Sequence, residues 1–234
     1  MLTNIRKVSK QIFFGRRWPA IVRNVRAESL TYLEEEALVD LYERIKSVER
    51  SGSAGVLIEA GCALGGSAIV IASAKSQHRP FYVFDMFGMI PAPSEEDGAD
   101  VRRRYMEIKN GRSAGIDGKP YYGYEENLFE KVTGNFRRHG LAVEENNIHL
   151  VRGLFQDTLR IDEPVAFAHI DGDWYESALT CLERIVPHLV PGGVLVIDDY
   201  DAWSGCRKAV DEYFEGKKDS YEFVRKSRLH ILGK

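Results

Sequence analysis

The chain alternates short, continuously apolar runs with longer segments of helical character. Apolar runs of strand length occupy residues 56–61 (VLIEAG), 80–87 (PFYVFDMF), 147–153 (NIHLVRG), 165–172 (VAFAHIDG) and 193–200 (GVLVIDDY). Helices are predicted over residues 33–48, 62–76 after a turn, 175–193 and 205–216, with proline and glycine ending the third. Strands that alternate with helices form parallel βαβ units, and continuously apolar strands are typical of a sheet covered on both faces.

We therefore predict an α/β fold with a doubly wound, mostly parallel sheet of about seven strands, in which residues 220–234 add a short hairpin. Residues 1–50 are interpreted as an N-terminal helical arm and residues 51–234 as the main domain. An insertion over about residues 88–138 is longer than a plain crossover needs. Its tyrosines, Tyr121, Tyr122 and Tyr124, favour a helix followed by a lid, and the alternative is a surface excursion without a role.

Composition narrows the class of protein. The 234 residues are 44% hydrophobic and 29% charged, with a net charge of −3, so we expect a globular protein without a nucleic-acid partner. The three cysteines are widely spaced and form no CxxC pair, which indicates a reducing, cytoplasmic setting rather than disulfides or zinc. No apolar run reaches the roughly 20 residues that span a bilayer.

The N-terminal stretch from Met1 to Arg26 is basic and contains no acidic residue. A basic amphipathic arm is able to touch an anionic membrane surface or a partner subunit. Gly15 and Pro19 interrupt any long helix there, which favours an arm that packs on its own domain or on a second copy. We expect a homo-oligomer and at most weak membrane contact.

Carboxylates follow the predicted strands. Glu59, Asp85, Asp171 and Asp198 fall at strand ends, with Asp173 and Asp199 close behind. In open parallel sheets the carboxyl ends of the strands line one crevice, so these side chains are expected to face a common site. Carboxylates without a nearby His or Cys cluster suit Mg²⁺, Ca²⁺ or Mn²⁺. Neighbours on a regular strand point to opposite faces, so Asp198 and Asp199 share a site only if the chain turns there.

The stretch IEAGCALGGSA, residues 58–68, is a glycine-rich turn between a strand and a helix. Its spacing is E-x-G-x-x-x-G, and Ala63 stands where a dinucleotide fingerprint has its second glycine. Glu59 would repel a pyrophosphate, whereas Asp85 at the next strand end is placed to accept hydrogen bonds from ribose hydroxyls. The turn therefore favours a nucleoside with a cationic group, and the alternative is a helix start without a ligand.

These motifs resemble a known family. The glycine turn followed by Asp85 is similar to that of class I S-adenosylmethionine-dependent methyltransferases, whose fold is Rossmann-like. The stretches ESLTYLE, RGLFQDTL, HIDGDWYES and VLVIDDYDAW narrow the resemblance to the macrocin O-methyltransferase (TylF) family, over about Glu28 to Phe214. The resemblance implies an enzyme that moves a methyl group from S-adenosylmethionine to a hydroxyl of a sugar or similar small natural product, with a glycoside as the acceptor.

The resemblance also implies site residues. Magnesium would bind Asp171, Asp198 and Asp199, and Asp171 and Asp173 would be catalytic, with Asp173 as general base. By its position Asp173 also suits an N-cap of the next helix, with Glu176 completing a capping box. The residues expected to bind the cofactor are Thr31, Glu59, Gly61, Gly65, Ser67, Asp85, Gln156 and Asp171.

Three other functions use some of the same features. A metal-dependent glycosyltransferase also carries a D-x-D motif, here Asp171 to Asp173, but has no need of the glycine turn. A phosphatase with D-x-D would place it after the first strand rather than the fourth. A non-catalytic cofactor-binding scaffold would keep Glu59 and Asp85 without the aspartate cluster. Calorimetry with S-adenosylmethionine or a UDP-sugar separates these alternatives.

Overall fold

An eight-stranded sheet runs through the centre of the protein. The computed structural model describes Arg6, Lys7 and residues 18–234, so the first part of the predicted N-terminal arm lies mostly outside the described residues. The spatial order of the strands is β1-β7-β8-β6-β5-β2-β3-β4. The strands are β1 (Arg6–Lys7), β2 (Val56–Ala60), β3 (Phe81–Asp85), β4 (Ile148–Arg152), β5 (Val165–Ile170), β6 (Leu189–Ile197), β7 (Tyr221–Arg225) and β8 (Leu229–Gly233).

Strand direction follows the predicted pattern. β2 to β6 are mutually parallel, and β8 runs antiparallel to β6 and pairs with β7 as the predicted C-terminal hairpin. The chain leaves β2 towards β3 on one side, while β5 lies on the other side of β2. The prediction of a doubly wound, mostly parallel sheet is confirmed. Its topological switch point, where ligands bind in such sheets, lies between β2 and β5.

Helices cover both faces of the sheet with separate apolar cores. The helices are α1 (Ala20–Ala27), α2 (Glu35–Ser51), α3 (Gly66–Ala74), α4 (Ala99–Lys109), α5 (Leu128–Arg138), α6 (Phe155–Thr158), α7 (Tyr175–Ile185) and α8 (Ser204–Tyr213). Both α1 and α2 contact α3 and bury side chains such as Val22 and Leu38 completely. Residues 18–51 therefore share the core of the main sheet. Among the described residues, no helix has the length and hydropathy needed to cross a bilayer.

Two boundaries differ from the expectation. The sequence PGG at 191–193 does not terminate a helix, because α7 ends at Ile185 and β6 already begins at Leu189, paired with Val165 of β5. Residues 128–138, the last part of the expected lid, form α5, whose Leu128, Val132 and Phe136 are fully buried in the core. α5 is thus the crossover helix between β3 and β4. We call residues 88–127 the covering segment; that it moves as a lid stays a prediction.

Two aspartates anchor the covering segment to the main fold. The Asp97 carboxylate accepts the backbone N–H of Tyr175, at the start of α7, at 2.9 Å. Asp100 accepts the N–H and the hydroxyl of Ser204, at the start of α8, at 3.0 and 2.6 Å. The first N–H groups of a helix lack partners within the helix, so each carboxylate acts as a cap supplied from a distant part of the chain.

Replacing Asp97 with alanine is expected to destabilise the fold by about 1–2 kcal/mol, because it removes a cap from α7 and the bonds to the Ser94 N–H and hydroxyl. Urea unfolding measures the loss. The matched control is Glu95→Ala, which removes an exposed carboxylate two residues away. Equal unfolding midpoints for the two variants would contradict the capping role.

Candidate active site

The site is built at the switch point, where β2 and β5 end side by side. The N–H of Asp171 donates to the carbonyl of Ala60 at 2.8 Å, which joins the two strand ends. Gly61 follows with φ +89°, and a Cβ atom there would lie 1.9 Å from the carbonyl oxygen of Asp171. Glycine is therefore required at residue 61 for both conformation and space.

Asp85 at the end of β3 holds the glycine-rich turn. Its carboxylate accepts the N–H groups of Cys62 at 2.7 Å, Ala63 at 3.2 Å and Phe87 at 2.6 Å. Ala63 has φ +48°, a conformation unusual for a residue with a side chain, which these bonds stabilise. Burial raises the pKa of Asp85, and the three N–H bonds oppose that rise. Asp85, at the end of β3, thus fixes the backbone of the glycine turn by accepting its N–H groups.

The first cleft opens between the turn and the covering segment and encloses about 490 Å³, part of it open to solvent. Four of the residues predicted to bind the cofactor line it: Gly61, Asp85, Gln156 and Asp171. The remaining wall residues are Met86, Gly88, Ile90, Pro91, Tyr122, Gly153, Leu154, Phe155, Gly172, Asp173 and Ser177. A largely apolar wall with a few convergent polar groups is the usual form of a cofactor site.

The other four predicted cofactor residues, Thr31, Glu59, Gly65 and Ser67, are not part of the walls described for this cleft. Glu59 is fully buried, and its carboxylate bonds to Nδ1 of His169 at 2.8 Å. His169 therefore holds the Glu59 side chain in the interior, and direct cofactor contacts by Glu59 and Ser67 stay a prediction.

Thr31 lies close to the glycine turn and Gly65 belongs to it, and both have a role in the backbone conformation. The Thr31 hydroxyl accepts the N–H of Leu33 at 3.1 Å, and the neighbouring carbonyl of Leu30 accepts the N–H of Gly66 at 3.0 Å. Gly65 adopts the left-handed conformation immediately before α3. The segment before α2 is thereby fixed against the glycine turn, and direct cofactor contacts by Thr31 and Gly65 stay a prediction.

A second cleft of about 760 Å³, also partly open to solvent, adjoins the first. Its walls include Ile90, Tyr122, Asp171 and Asp173, which line the first cleft as well. The other wall residues are Tyr32, Leu33, Ala63, Arg104, Ile108, Tyr121, Trp174, Asp198, Asp199, Trp203 and Arg228. The two clefts therefore meet at the aspartates that follow β5.

Three aspartates form a carboxylate cluster at this junction. Asp171, Asp173 and Asp199 each place one oxygen within 4.8 Å of the others. Burial and the neighbouring carboxylates raise the pKa of Asp171 and of Asp173 well above its usual range. Burial and Asp198 raise the pKa of Asp199 to about 7. Like charges held this close favour protonation or a bound cation.

Asp198, expected from the resemblance as a metal ligand, lies beside this cluster and lines the second cleft with Asp171 and Asp199, and its role as a ligand stays a prediction. The chain turns after β6, and Asp198 accepts a hydrogen bond from Nε of Arg228 at 2.7 Å. Nε2 of His169 lies 3.6 Å from the same carboxylate. Burial opposes the shift, yet His169 and Arg228 lower the pKa of Asp198 below its usual value. Burial alone would lower the pKa of His169, but Asp198 and Glu59 raise it to about 9.

Asp173 does not cap the following helix as the capping box predicted. The N-cap of α7 is Trp174, and the first helical N–H is taken by Asp97. Asp173 instead adopts φ +52°, with its own N–H donating to Asp199 at 3.0 Å. Asp173 lines both clefts, so this left-handed turn places it at their junction.

Stability in the absence of metal is expected to fall as the pH rises from about 4 to about 7, because folding raises the pKa of Asp199 above the unfolded value and the native state then binds more protons. Asp199→Asn removes this component. Urea unfolding in EDTA at about pH 5 and about pH 8 gives the change in the free energy of unfolding between the two pH values. This change is expected to be larger for the wild type than for the variant. An equal loss of stability in both proteins would contradict the assignment.

Sequence reasoning missed several cleft residues. Arg104 and Tyr32 face the second cleft from α4 and from the segment before α2, and Arg228 faces it from the turn before β8. Arg104 and Arg228 belong to none of the motifs named above, and Tyr32 lies within ESLTYLE but was not singled out there, because each reaches the site from a different part of the chain. The tyrosines of the predicted lid were the one available signal: Tyr122 lines both clefts, and Tyr121 lines the second.

Comparison with known proteins adds a decisive observation. The family model described as Macrocin-O-methyltransferase (TylF) matches residues 9–222. The chain belongs to the macrocin O-methyltransferase (TylF) family. As a TylF-family member it is an S-adenosylmethionine-dependent O-methyltransferase, which decides against the glycosyltransferase, phosphatase and scaffold alternatives.

Curated relatives of this TylF-family chain are O-methyltransferases. A tetracenomycin-C rhamnosyl 4'-O-methyltransferase of Streptomyces olivaceus is 32% identical over 209 residues, covering 85% of this chain and 70% of the relative. Demethyldecarbamoylnovobiocin O-methyltransferase of Streptomyces niveus is 29% identical, with 85% and 70% coverage. Mycinamicin III 3''-O-methyltransferase of Micromonospora griseorubida is 27% identical, with 86% and 76% coverage.

Solved structures agree with the TylF-family fold. The O-methyltransferase NovP superposes with a TM-score of 0.72 at 26% identity, covering 90% of this chain and 87% of that one. The calicheamicin methyltransferase CalS11 superposes with a TM-score of 0.61 at 18% identity, covering 94% and 87%, and supports the fold alone.

Proposed function

We propose that this enzyme is a divalent-metal-dependent O-methyltransferase that methylates a sugar hydroxyl of a glycosylated natural product. The proposal places S-adenosylmethionine in the first cleft and the acceptor sugar in the second. One observation carries it: the two clefts share Asp171 and Asp173, so donor and acceptor would meet at the carboxylate cluster. The tetracenomycin-C relative, whose name specifies a rhamnosyl substrate, supports a glycoside acceptor.

The walls of the second cleft suit a sugar. The rings of Trp174 and Trp203 pack edge to face with their centroids 5.7 Å apart, and the ring centroids of Tyr121 and Tyr122 are 4.4 Å apart. Aromatic faces beside carboxylates offer both apolar contact and hydrogen-bond acceptors to a ring that carries hydroxyls. Tyr32 is 44% exposed at this wall, which leaves its ring available to an incoming ligand.

The carboxylate cluster fits a hard divalent cation. Its donors are oxygen atoms only, and burial together with the neighbouring carboxylates raises the pKa of Asp171 and of Asp199, as expected where like charges lie close together. Asp171 and Asp199 would hold the ion together with Asp198, which lines the second cleft beside them. When bound, Mg²⁺ or a similar ion would supply Lewis acidity that lowers the pKa of an acceptor hydroxyl.

Asp173 is the residue proposed to accept the hydroxyl proton. Asp173 lines both clefts, so its carboxylate lies where the acceptor hydroxyl would release its proton. Without an ion, burial and Asp199 raise the pKa of Asp173, whereas the nearby Arg104 lowers it and so favours the charged form needed to take the proton. The covering segment would exclude water through Ile90 and Tyr122, which border both clefts.

A methyl-transfer assay with S-adenosylmethionine and a panel of glycosides tests the proposal. Transfer is expected to require Mg²⁺ or Mn²⁺, to stop with EDTA, and to give a product methylated on the sugar. Mass spectrometry of the product locates the methyl group. Full activity in EDTA would refute the metal requirement, and methylation of the aglycone alone would refute the sugar assignment. The cytoplasmic setting, self-association, membrane contact and the division at residue 51 stay predictions.

A further inference from the structure

A third cleft borders the second. It encloses about 470 Å³, part of it open to solvent, and the walls described for it include none of the cluster aspartates. Tyr32 and Tyr122 line both this cleft and the second one. Their rings pack edge to face with the centroids 6.2 Å apart. A ligand in the second cleft is therefore able to extend past these two tyrosines into the third cleft.

The third cleft has an apolar lining that is assembled from distant parts of the chain. Leu64 comes from the glycine turn, and Ile116 and Pro120 come from the covering segment. Together with the rings of Tyr32 and Tyr122 they form the apolar part of the wall. Such a surface gains free energy when an apolar group displaces water from it.

The polar side chains of the same wall already have partners in the protein. The hydroxyl of Ser29 donates to Asp117 at 2.5 Å, and Lys131 pairs with Glu125 at 2.5 Å. Lys119 donates to a main-chain carbonyl of the segment after α1 at 3.2 Å. A charged ligand would compete with these contacts, whereas an apolar ligand would use the surface that has none. The third cleft therefore suits an uncharged apolar group.

We propose that the third cleft binds the aglycone of the acceptor, as an apolar ring system, while the sugar occupies the second cleft. The inference rests on the proposed glycoside acceptor and assigns a site to the part of it that does not react. Tyr32 and Tyr122 would lie beside the glycosidic bond, because they border both clefts. Binding energy gained at the aglycone then holds the sugar at the carboxylate cluster.

Calorimetric titration of the full-length chain tests the inference, with Mg²⁺ and S-adenosylhomocysteine present so that no methyl group is transferred. The two probes are methyl α-L-rhamnoside and 2-naphthyl α-L-rhamnoside, which share the sugar named for one relative and differ only in the aglycone. Wild type is expected to bind the naphthyl glycoside about tenfold or more tightly than the methyl glycoside, because the naphthyl group buries apolar surface.

Ile116→Trp fills the third cleft with an indole ring. It is expected to reduce the preference for the naphthyl glycoside to about threefold or less, because the two ring systems cannot share the space. The matched control is Met106→Trp, which adds the same ring to α4 at a side chain that is 47% exposed and lies outside the walls described for the three clefts. The control is expected to keep the preference within about twofold of wild type.

Ile116→Ala supplies a second readout that does not depend on the folding of Ile116→Trp. It removes apolar contact from the cleft, so the naphthyl glycoside is expected to bind about threefold more weakly, with little change for the methyl glycoside. Circular dichroism and S-adenosylmethionine affinity verify that each variant is folded.

Three results would overturn the inference. The first is equal affinity of wild type for the two glycosides, including no binding of either, and the second is a preference that both variants at Ile116 retain. The third is a loss of about tenfold or more in S-adenosylmethionine affinity in folded Ile116→Trp, which would assign the cleft to the cofactor. Failure of the proposed function has a different signature: the naphthyl glycoside still binds in a way that depends on Ile116, but its sugar receives no methyl group.

Discussion

Asp171→Asn is expected to lower the rate of methyl transfer by about 10³-fold or more, because a metal-ligating charge at a reacting centre stabilises the transition state by several kcal/mol. Asp171 belongs to the carboxylate cluster and lines both clefts, so its charge lies where the two substrates would meet. Steady-state kinetics with saturating S-adenosylmethionine and Mg²⁺ measure the loss.

The same substitution is not expected to destabilise the metal-free protein at neutral pH. Asparagine has the shape of aspartate but removes one of the repelling charges whose burial raises the pKa of Asp171. Urea unfolding in EDTA therefore distinguishes a chemical defect from a folding defect. The matched control is Asp201→Asn, on the loop after β6, where the side chain is 55% exposed and pairs with Arg207 and Arg225. Activity of Asp171→Asn near that of Asp201→Asn would rule out the proposed role of the cluster.

Gly61→Ala is expected to reduce the free energy of unfolding by about 3 kcal/mol or more and to abolish S-adenosylmethionine binding in any folded fraction. The added Cβ would overlap the carbonyl oxygen of Asp171 at 1.9 Å, so the ends of β2 and β5 must separate. That separation would displace the backbone beneath the first cleft. Denaturant unfolding and calorimetry with S-adenosylmethionine measure the two effects.

Gly216→Ala separates the conformational cost of a side chain at positive φ from the cost of steric overlap. Gly216 has φ +75° but nothing within 4 Å of its added Cβ, so the variant has the conformational cost without the overlap. We expect it to lose about 1 kcal/mol and to bind S-adenosylmethionine normally. If Gly61→Ala lost no more stability than Gly216→Ala, the close approach of the two strand ends would not be essential.

Local pattern was sufficient for most of the sheet and for the position of the site. The apolar runs at 56–61 and 165–172 contain β2 and β5. The residues that directly follow these two strands, Gly61 and Asp171, meet at the switch point. Parallel strands bring their carboxyl ends to one edge, so a one-dimensional pattern implied a shared crevice. The failures at 191–193 and 128–138 came from tertiary contacts: pairing with β5 extended β6 through the glycines, and core burial made α5 a crossover helix.

The sequence by itself determined the alternation of strands and helices, the glycine turn and the carboxylates at the strand ends, because these depend on spacing along the chain. Only the tertiary structure decided how the carboxylates are divided. Arg228 lies 30 residues from Asp198 and pairs with it beside the cluster, while Asp97 lies 78 residues from Tyr175, caps α7 and leaves Asp173 free for the site. Such pairings follow from which side chains meet after folding, and no local pattern encodes them.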